Sequence, residues 1–140
     1  MKMKYKARNG GKLKDKDAQI IGKYFEGMGK EITTTKIVEV AQSPKSEIHN
    51  YFEWDNTIAG NLYRLQQARN LMENIVVNVT IEGKQVEQRA WFSVRVEKGN
   101  AYVPIKVAIE VQDYRKQLLD KAITILENLT ITMKMFREHQ

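Results

Sequence analysis

Residues 75–96 read IVVNVTIEGKQVEQRAWFSVRV, and this stretch decides the fold class. Upstream of Ile75 apolar residues recur every three or four positions; from Ile75 they recur every second one. Val77, Val79 and Ile81 alternate with Asn78, Thr80 and Glu82, the pattern of a strand with one face in a core. Glu82-Gly83-Lys84 supplies a turn, and the return strand alternates as well. Val86, Ala90, Phe92, Val94 and Val96 fall on one face, with Arg89, Trp91, Ser93 and Arg95 on the other, until Gly99-Asn100 ends the run. A β-hairpin is expected.

Working outward, the flanks are helical. Ala18, Ile20, Ile21, Tyr24, Phe25 and Met28 define a helix over 17–28, punctuated by Gly27 and Gly29. Thr33, Thr34 or Thr35 can cap a second helix carrying Ile37, Val38 and Ala41, which Ser43-Pro44 stops. Asp55 or Asn56 can cap a third helix over 57–75, whose stripe runs Ile58, Leu62, Leu65, Ala68 or Arg69, Met72 and Ile75, widened by Ala59, Tyr63 and Leu71. Downstream, residues 102–111 fit either a third strand or a helical entry. From Gln112 a long helix is clear, with Leu118, Leu119, Ala122, Ile123, Leu126, Leu129, Met133 and Phe136 along one side. The expected class is α+β: N-terminal helices, a β-hairpin or small antiparallel sheet, and a long C-terminal helix packed on it.

Charge divides the chain. The first sixteen residues, MKMKYKARNGGKLKDK, hold seven cations (Lys2, Lys4, Lys6, Arg8, Lys12, Lys14 and Lys16) against Asp15 alone. Residues 17–140 carry 16 Lys+Arg and 16 Asp+Glu, so the formal net charge of +6 belongs to the N-terminus. Met1, Met3, Tyr5 and Leu13 offer little apolar area to offset the entropy of ordering, so residues 1–16 are expected to form a disordered basic arm on a single domain over 17–140. Such an arm suits a polyanion, and nucleic-acid phosphates are the first candidate. The chain has no cysteine, which excludes disulfides, thiol nucleophiles and thiolate metal sites. No apolar run is long enough to span a bilayer and no apolar segment follows the N-terminal charges, so a soluble, non-exported chain without a membrane partner is expected.

Catalytic signatures are absent. The two histidines, His49 and His139, lie far apart, and no glycine-rich phosphate loop occurs. His49 with Glu53 and Asp55 can be read as a divalent-metal cluster, or as a packed histidine beside a solvated carboxylate and a helix cap. The plainer reading leaves no catalytic residue, no metal and no cofactor, and a non-enzymatic protein.

Between the second and third helices, residues 43–55 read SPKSEIHNYFEWD. Ile48, Tyr51, Phe52 and Trp54 require burial, either as a plug under the helical corner or as a docking surface for a host or phage protein. Extended through the third helix, SPKSEIHNYFEWDNTIAGNLYRLQQARNLMENI (43–75) resembles a small family of phage and prophage proteins. The resemblance rests on Ser43-Pro44, Ile48-His49, Tyr51 through Asp55, Ala59, Tyr63-Arg64, Gln67-Ala68-Arg69 and Leu71. Residues 88–94 and Leu118-Leu119 with Ala122 are similar too. It implies a viral or prophage origin, hence host cytoplasm or virion, and brings no residue roles with it.

Two further nucleic-acid readings belong to the body. A helix to Gln42, a Ser43-Pro44 corner and a second helical segment would place Lys45, Ser46, His49 and Asn50 against a groove. On the hairpin, Lys84, Arg89, Trp91 and Arg95 form a stacking platform if Trp91 is exposed, and a plain polar face if it packs under a helix. Arg64 and Arg69, five apart, point in different directions, and Arg69 is placed to pair with Glu73. The expected function is an accessory protein binding DNA or RNA backbone through Lys2, Lys4, Lys6, Arg8, Lys12, Lys14 and Lys16, supplemented by Arg89, Trp91 and Arg95. The alternatives are a virion or assembly component forming a homo-oligomer, and an adaptor binding a host protein through Ile48, Tyr51, Phe52 and Trp54.

Overall fold

A computed structural model describes residues 3–56, 58 and 60–139. The chain is α+β and divides into two compact units, one ending at Ile105 and one beginning at Lys106.

The first unit opens with a short strand, β1 (Lys6–Ala7), then helices α1 (Asp15–Glu26) and α2 (Thr34–Ala41), a 3-10 turn at His49–Tyr51 and helix α3 (Asn61–Glu73). Four strands follow: β2 (Ile75–Ile81), β3 (Lys84–Arg89), β4 (Trp91–Val96) and β5 (Gly99–Pro104). β1, β2 and β3 form an antiparallel sheet in that order, and β4 pairs with β5 in a second one. The expected hairpin is present over 75–89, with Ile81 paired to Lys84 across a two-residue turn. Glu82 (φ 51°) and Gly83 (φ 79°) are both left-handed there, the backbone of a type I′ turn.

The return strand is not continuous to Val96. The chain bends at Ala90, whose N–H donates to the Ile75 carbonyl (3.2 Å) while its own carbonyl accepts from Ile105 N–H (3.1 Å). Ala90 thus hands the backbone from one sheet to the other. The period-2 register breaks with it, so Ala90 and Trp91 are both buried. Segment 102–111 resolves as both alternatives: β5 runs to Pro104, and helix α4 (Ile105–Glu110) follows directly.

One apolar core joins the elements of this unit. α1 contributes Ala18, Ile21 and Phe25; α2 contributes Ile37, Val38 and Ala41; α3 contributes Ala68 and Met72; the strands contribute Ile75, Val77, Trp91 and Tyr102. Thr33 caps α2 by accepting from Lys36 N–H (3.1 Å), as a threonine at that place should. α3 starts at Asn61, later than expected, with Gly60 as its N-cap. Of its expected stripe, Ile58 (69% exposed) and Leu62 (81%) face solvent, while Ala59 lies outside the described residues.

In the second unit the dominant element is helix α5 (Gln112–Arg137), 26 residues long as its periodicity predicts. It buries none of its residues. The long C-terminal helix of the expected α+β class is thus present, and the core of the first unit is built from α1 to α3 and the strands. Among the described residues, no helix is long and apolar enough to cross a membrane.

Candidate nucleic-acid interface

Among the described residues the basic segment is docked through Tyr5 to Arg8, where a free arm over residues 1–16 is the expectation from sequence. Lys6 pairs with Val76 and Ala7 with Ile75, and Arg8 N–H donates to the Asn74 carbonyl (2.8 Å). An added edge strand leaves alternate N–H groups unpaired on its outer side. Here α1 satisfies them: Tyr5 N–H donates to Gln19 Oε1 (2.8 Å) and Ala7 N–H to Asp15 Oδ1 (2.9 Å).

Tyr5 is the anchor. It is 5% exposed, stacks on Trp91 with ring centroids 5.2 Å apart, and donates its hydroxyl to Glu26 (2.7 Å). Burial, then the hydrogen bond and charge of Glu26, raise its pKa well above the usual phenol value. Gly22 makes room for the ring: a Cβ on Gly22 would lie 2.3 Å from Tyr5 Cγ. Full burial of an aromatic ring stabilises by about 1.5–3 kcal/mol, and an aromatic pair adds roughly 0.5–1.5 kcal/mol. Those terms, with a satisfied backbone, offset much of the cost of ordering the segment, about 1–2 kcal/mol per residue.

Anchoring Tyr5 inward turns its neighbours outward, because successive strand residues face opposite ways. Lys6, Val76 and Arg89 are direct partners across the three strands and share one face, with Val76 buried (3% exposed) between the two partly exposed cations. Lys4 and Arg8 flank Lys6 at period 2 on that same side. Two open clefts mark this face. One, of about 370 Å³, is lined by Arg8, Glu73, Val76, Glu87, Gln88 and Arg89. The other, of about 600 Å³, is lined by Lys4, Tyr5, Lys6, Asp15, Lys16, Gln19 and Asn78. The first is balanced, Arg8 and Arg89 against Glu73 and Glu87, while in the second Lys4, Lys6 and Lys16 face only Asp15, which is already engaged by Ala7 N–H. The buried Arg89 Nε makes no hydrogen bond. Tyr102 is raised chiefly by burial and then by Glu73, with Arg89 and Arg69 opposing, which places those charges on one neighbourhood.

The other expected contacts divide. Lys12, Lys14 and Lys16 are exposed around the start of α1, and Lys2 lies outside the described residues. Arg95 is exposed on β4, in the second sheet, so it does not share a platform with Arg89. Trp91 is removed as a stacking surface: it is 1% exposed, held between Tyr5 and the edge of Phe25 (5.6 Å). The aromatic that stacks on it belongs to the basic segment itself.

In the 43–55 segment the docking reading loses Ile48 and Phe52, while Tyr51 and Trp54 are partly buried. Ile48 and Phe52 are buried in the core, and Tyr51 donates its hydroxyl to Asp17 (2.7 Å). Burial first, then Asp17, pushes Tyr51 up to about 12. Trp54 Nε1 donates to the His49 carbonyl (2.8 Å); its ring stacks on His49 (5.0 Å) and lies under the Arg64 guanidinium (5.3 Å). His49 Nδ1 donates to the Ala41 carbonyl (2.7 Å), closing the end of α2. Ser46 is bonded to Tyr24, and only a 3-10 turn occupies the place of a recognition helix. The groove reading of Lys45, Ser46, His49 and Asn50 falls with it. Among the described residues, no group of three or more His, Asp or Glu is placed to hold a metal ion.

Comparison with protein-family models, with curated proteins and with solved structures returned no match. The face defined by β1 to β3 therefore has to be read from its own chemistry.

Proposed function

We propose that the protein binds the phosphodiester backbone of nucleic acid through a fixed cationic face, made of the docked N-terminal strand and the adjoining sheet. The observation that carries this reading is the row Lys6–Val76–Arg89, flanked by Lys4 and Arg8, with Tyr5 locked into the core behind it. A cation held on a strand loses less side-chain and backbone freedom on binding than one on a free tail. Contacts of this kind position a backbone without reading bases. The phage and prophage resemblance of residues 43–75 supports a setting in host cytoplasm or virion, where packaged or replicating genomes supply the ligand. Nothing in the face resembles a reaction centre, and the reading is non-enzymatic.

The test is a fluorescence titration with duplex DNA, single-stranded DNA and RNA at several salt concentrations. If Lys4, Lys6, Arg8 and Arg89 all meet phosphates, log affinity falls against log salt with a slope of about −3 to −4 on a duplex. Replacing Lys4, Lys6 and Arg8 by alanine should weaken binding at least tenfold more than replacing Lys12, Lys14 and Lys16, at equal loss of charge. Equal effects of the two triple variants, or no binding at low salt, would reject a defined face.

A further inference from the structure

The one large feature left unused by this reading is α5. Its apolar residues include a 3-4 series over Leu119–Phe136, which in heptad notation puts Leu119, Leu126 and Met133 at a and Ala122, Leu129 and Phe136 at d, with Ile131 and Met135 outside it at f and c. The flanking e and g positions are Ile123 and Thr130, and Leu118, Ile125 and Thr132. No a, d, e or g position in this stretch is charged; Asp120, Lys121, Glu127 and Lys134 all fall at b or c. The large side chains from Leu119 to Phe136 on this face stand open, from 45% exposed at Ile123 to 67% at Phe136, while Leu118 is partly buried. Thr130 and Thr132 donate their hydroxyls back to the Leu126 and Asn128 carbonyls (both 2.9 Å), so a partner meets their methyl groups with no polar atom left to satisfy.

We propose that α5 is a self-assembly helix, and that its a/d/e/g face is covered by the same face of further copies of this chain. Two properties select a copy over a different partner. A heteromeric helix pairing is normally specified by opposite charges at e and g, and this face has none to specify anything. For the same reason a copy meets no like charge, in either orientation. Area agrees: half-exposed Leu, Ile, Met and Phe side chains here offer on the order of 700–800 Å² per copy, so a pair reaches about the 1,600 Å² of a standard stable interface. Apolar e and g positions widen the face beyond a two-stranded seam, which favours bundles of more than two helices.

Light scattering on the full-length chain, from micromolar to submillimolar concentration, tests this. The expected mass is a multiple of the 16.3 kDa chain. The double variant Leu126→Glu, Leu129→Glu should fall to the single-chain mass, and Thr124→Glu, at an f position, should keep the wild-type mass. Tryptophan fluorescence of Trp54 and Trp91, both in the first unit, checks that the variants remain folded there. A wild-type chain that stays at 16.3 kDa throughout overturns the proposal and leaves the face to a different partner. It is overturned equally by a double variant that keeps the wild-type mass, or by a control that dissociates with it.

Discussion

Gly22→Ala should destabilise the first unit, against the ordinary direction of that change in a helix. Alanine is favoured over glycine within a helix by about 1 kcal/mol. In this protein the new methyl group would sit 2.3 Å from Cγ and 2.8 Å from Cβ of Tyr5. Rotation about χ1 moves Cγ but leaves Cβ in place, so a rotamer change alone gives no full relief and the strand must withdraw by about 1 Å to restore carbon contacts of about 3.5–4.0 Å. Withdrawal gives up the burial of the ring and its stack on Trp91, together roughly 2–4 kcal/mol. The net effect is a loss of about 1–3 kcal/mol. In a Tyr5→Gly background the obstacle is gone and only the helix preference remains, so the same Gly22→Ala change should stabilise by about 0.5–1 kcal/mol. Urea unfolding followed by tryptophan fluorescence measures all four members of this cycle. A Gly22→Ala variant that is more stable in both backgrounds would refute the docking of Tyr5 on α1.

The tyrosines predict an alkaline transition. Tyr51 has its pKa raised from 10.0 to about 12 by burial and Asp17, and Tyr5 is raised further in the same direction by burial and Glu26. A pKa higher in the folded state means stability that is full below pH 10 and is lost as pH rises through the folded value. Tyrosinate absorbance should therefore show three late-titrating residues, Tyr5, Tyr51 and Tyr102, whose ionisation coincides with loss of the Trp91 signal, and Tyr51→Phe should remove one of them. In the β2–β3 turn, Glu82 occupies a left-handed conformation (φ 51°) that asparagine tolerates better. Glu82→Asn should raise stability by about 0.5 kcal/mol in the same urea assay; a decrease would contradict the turn assignment.

Much of this fold is legible in the residue pattern. The helices α1, α2 and α5 and the 75–89 hairpin all follow from apolar period, because each has one face buried or kept for burial. The break at Ala90 is marked only by three consecutive apolar residues, Ala90-Trp91-Phe92, which no single strand face accommodates. The start of α3 is displaced because the Gly60 backbone caps it, a role with no side-chain signature. The docked basic strand is the least visible part. Low apolar content argues for a disordered arm, yet MKMKYKAR alternates Lys or Arg with Met, Tyr and Ala at strict period 2, which is a strand signal. Gly22 inside a helix is the second sign, since a glycine there usually permits a close approach. What no local pattern conveys is that Tyr5 finds Trp91, a partner brought near only by the completed sheet. The same contact removes Trp91 from the surface and fixes the cations in place.

Amide hydrogen exchange at Tyr5, Lys6, Ala7 and Arg8, in the full-length chain without nucleic acid, tests the docked strand most directly. Lys6 and Arg8 face β2, and Tyr5 and Ala7 are bonded to Gln19 and Asp15. The account predicts that these amides are protected, and that Tyr5→Ala releases Lys6, Ala7 and Arg8 together while β2 stays protected. Exchange of the wild-type segment at the rate of an unstructured peptide would contradict it.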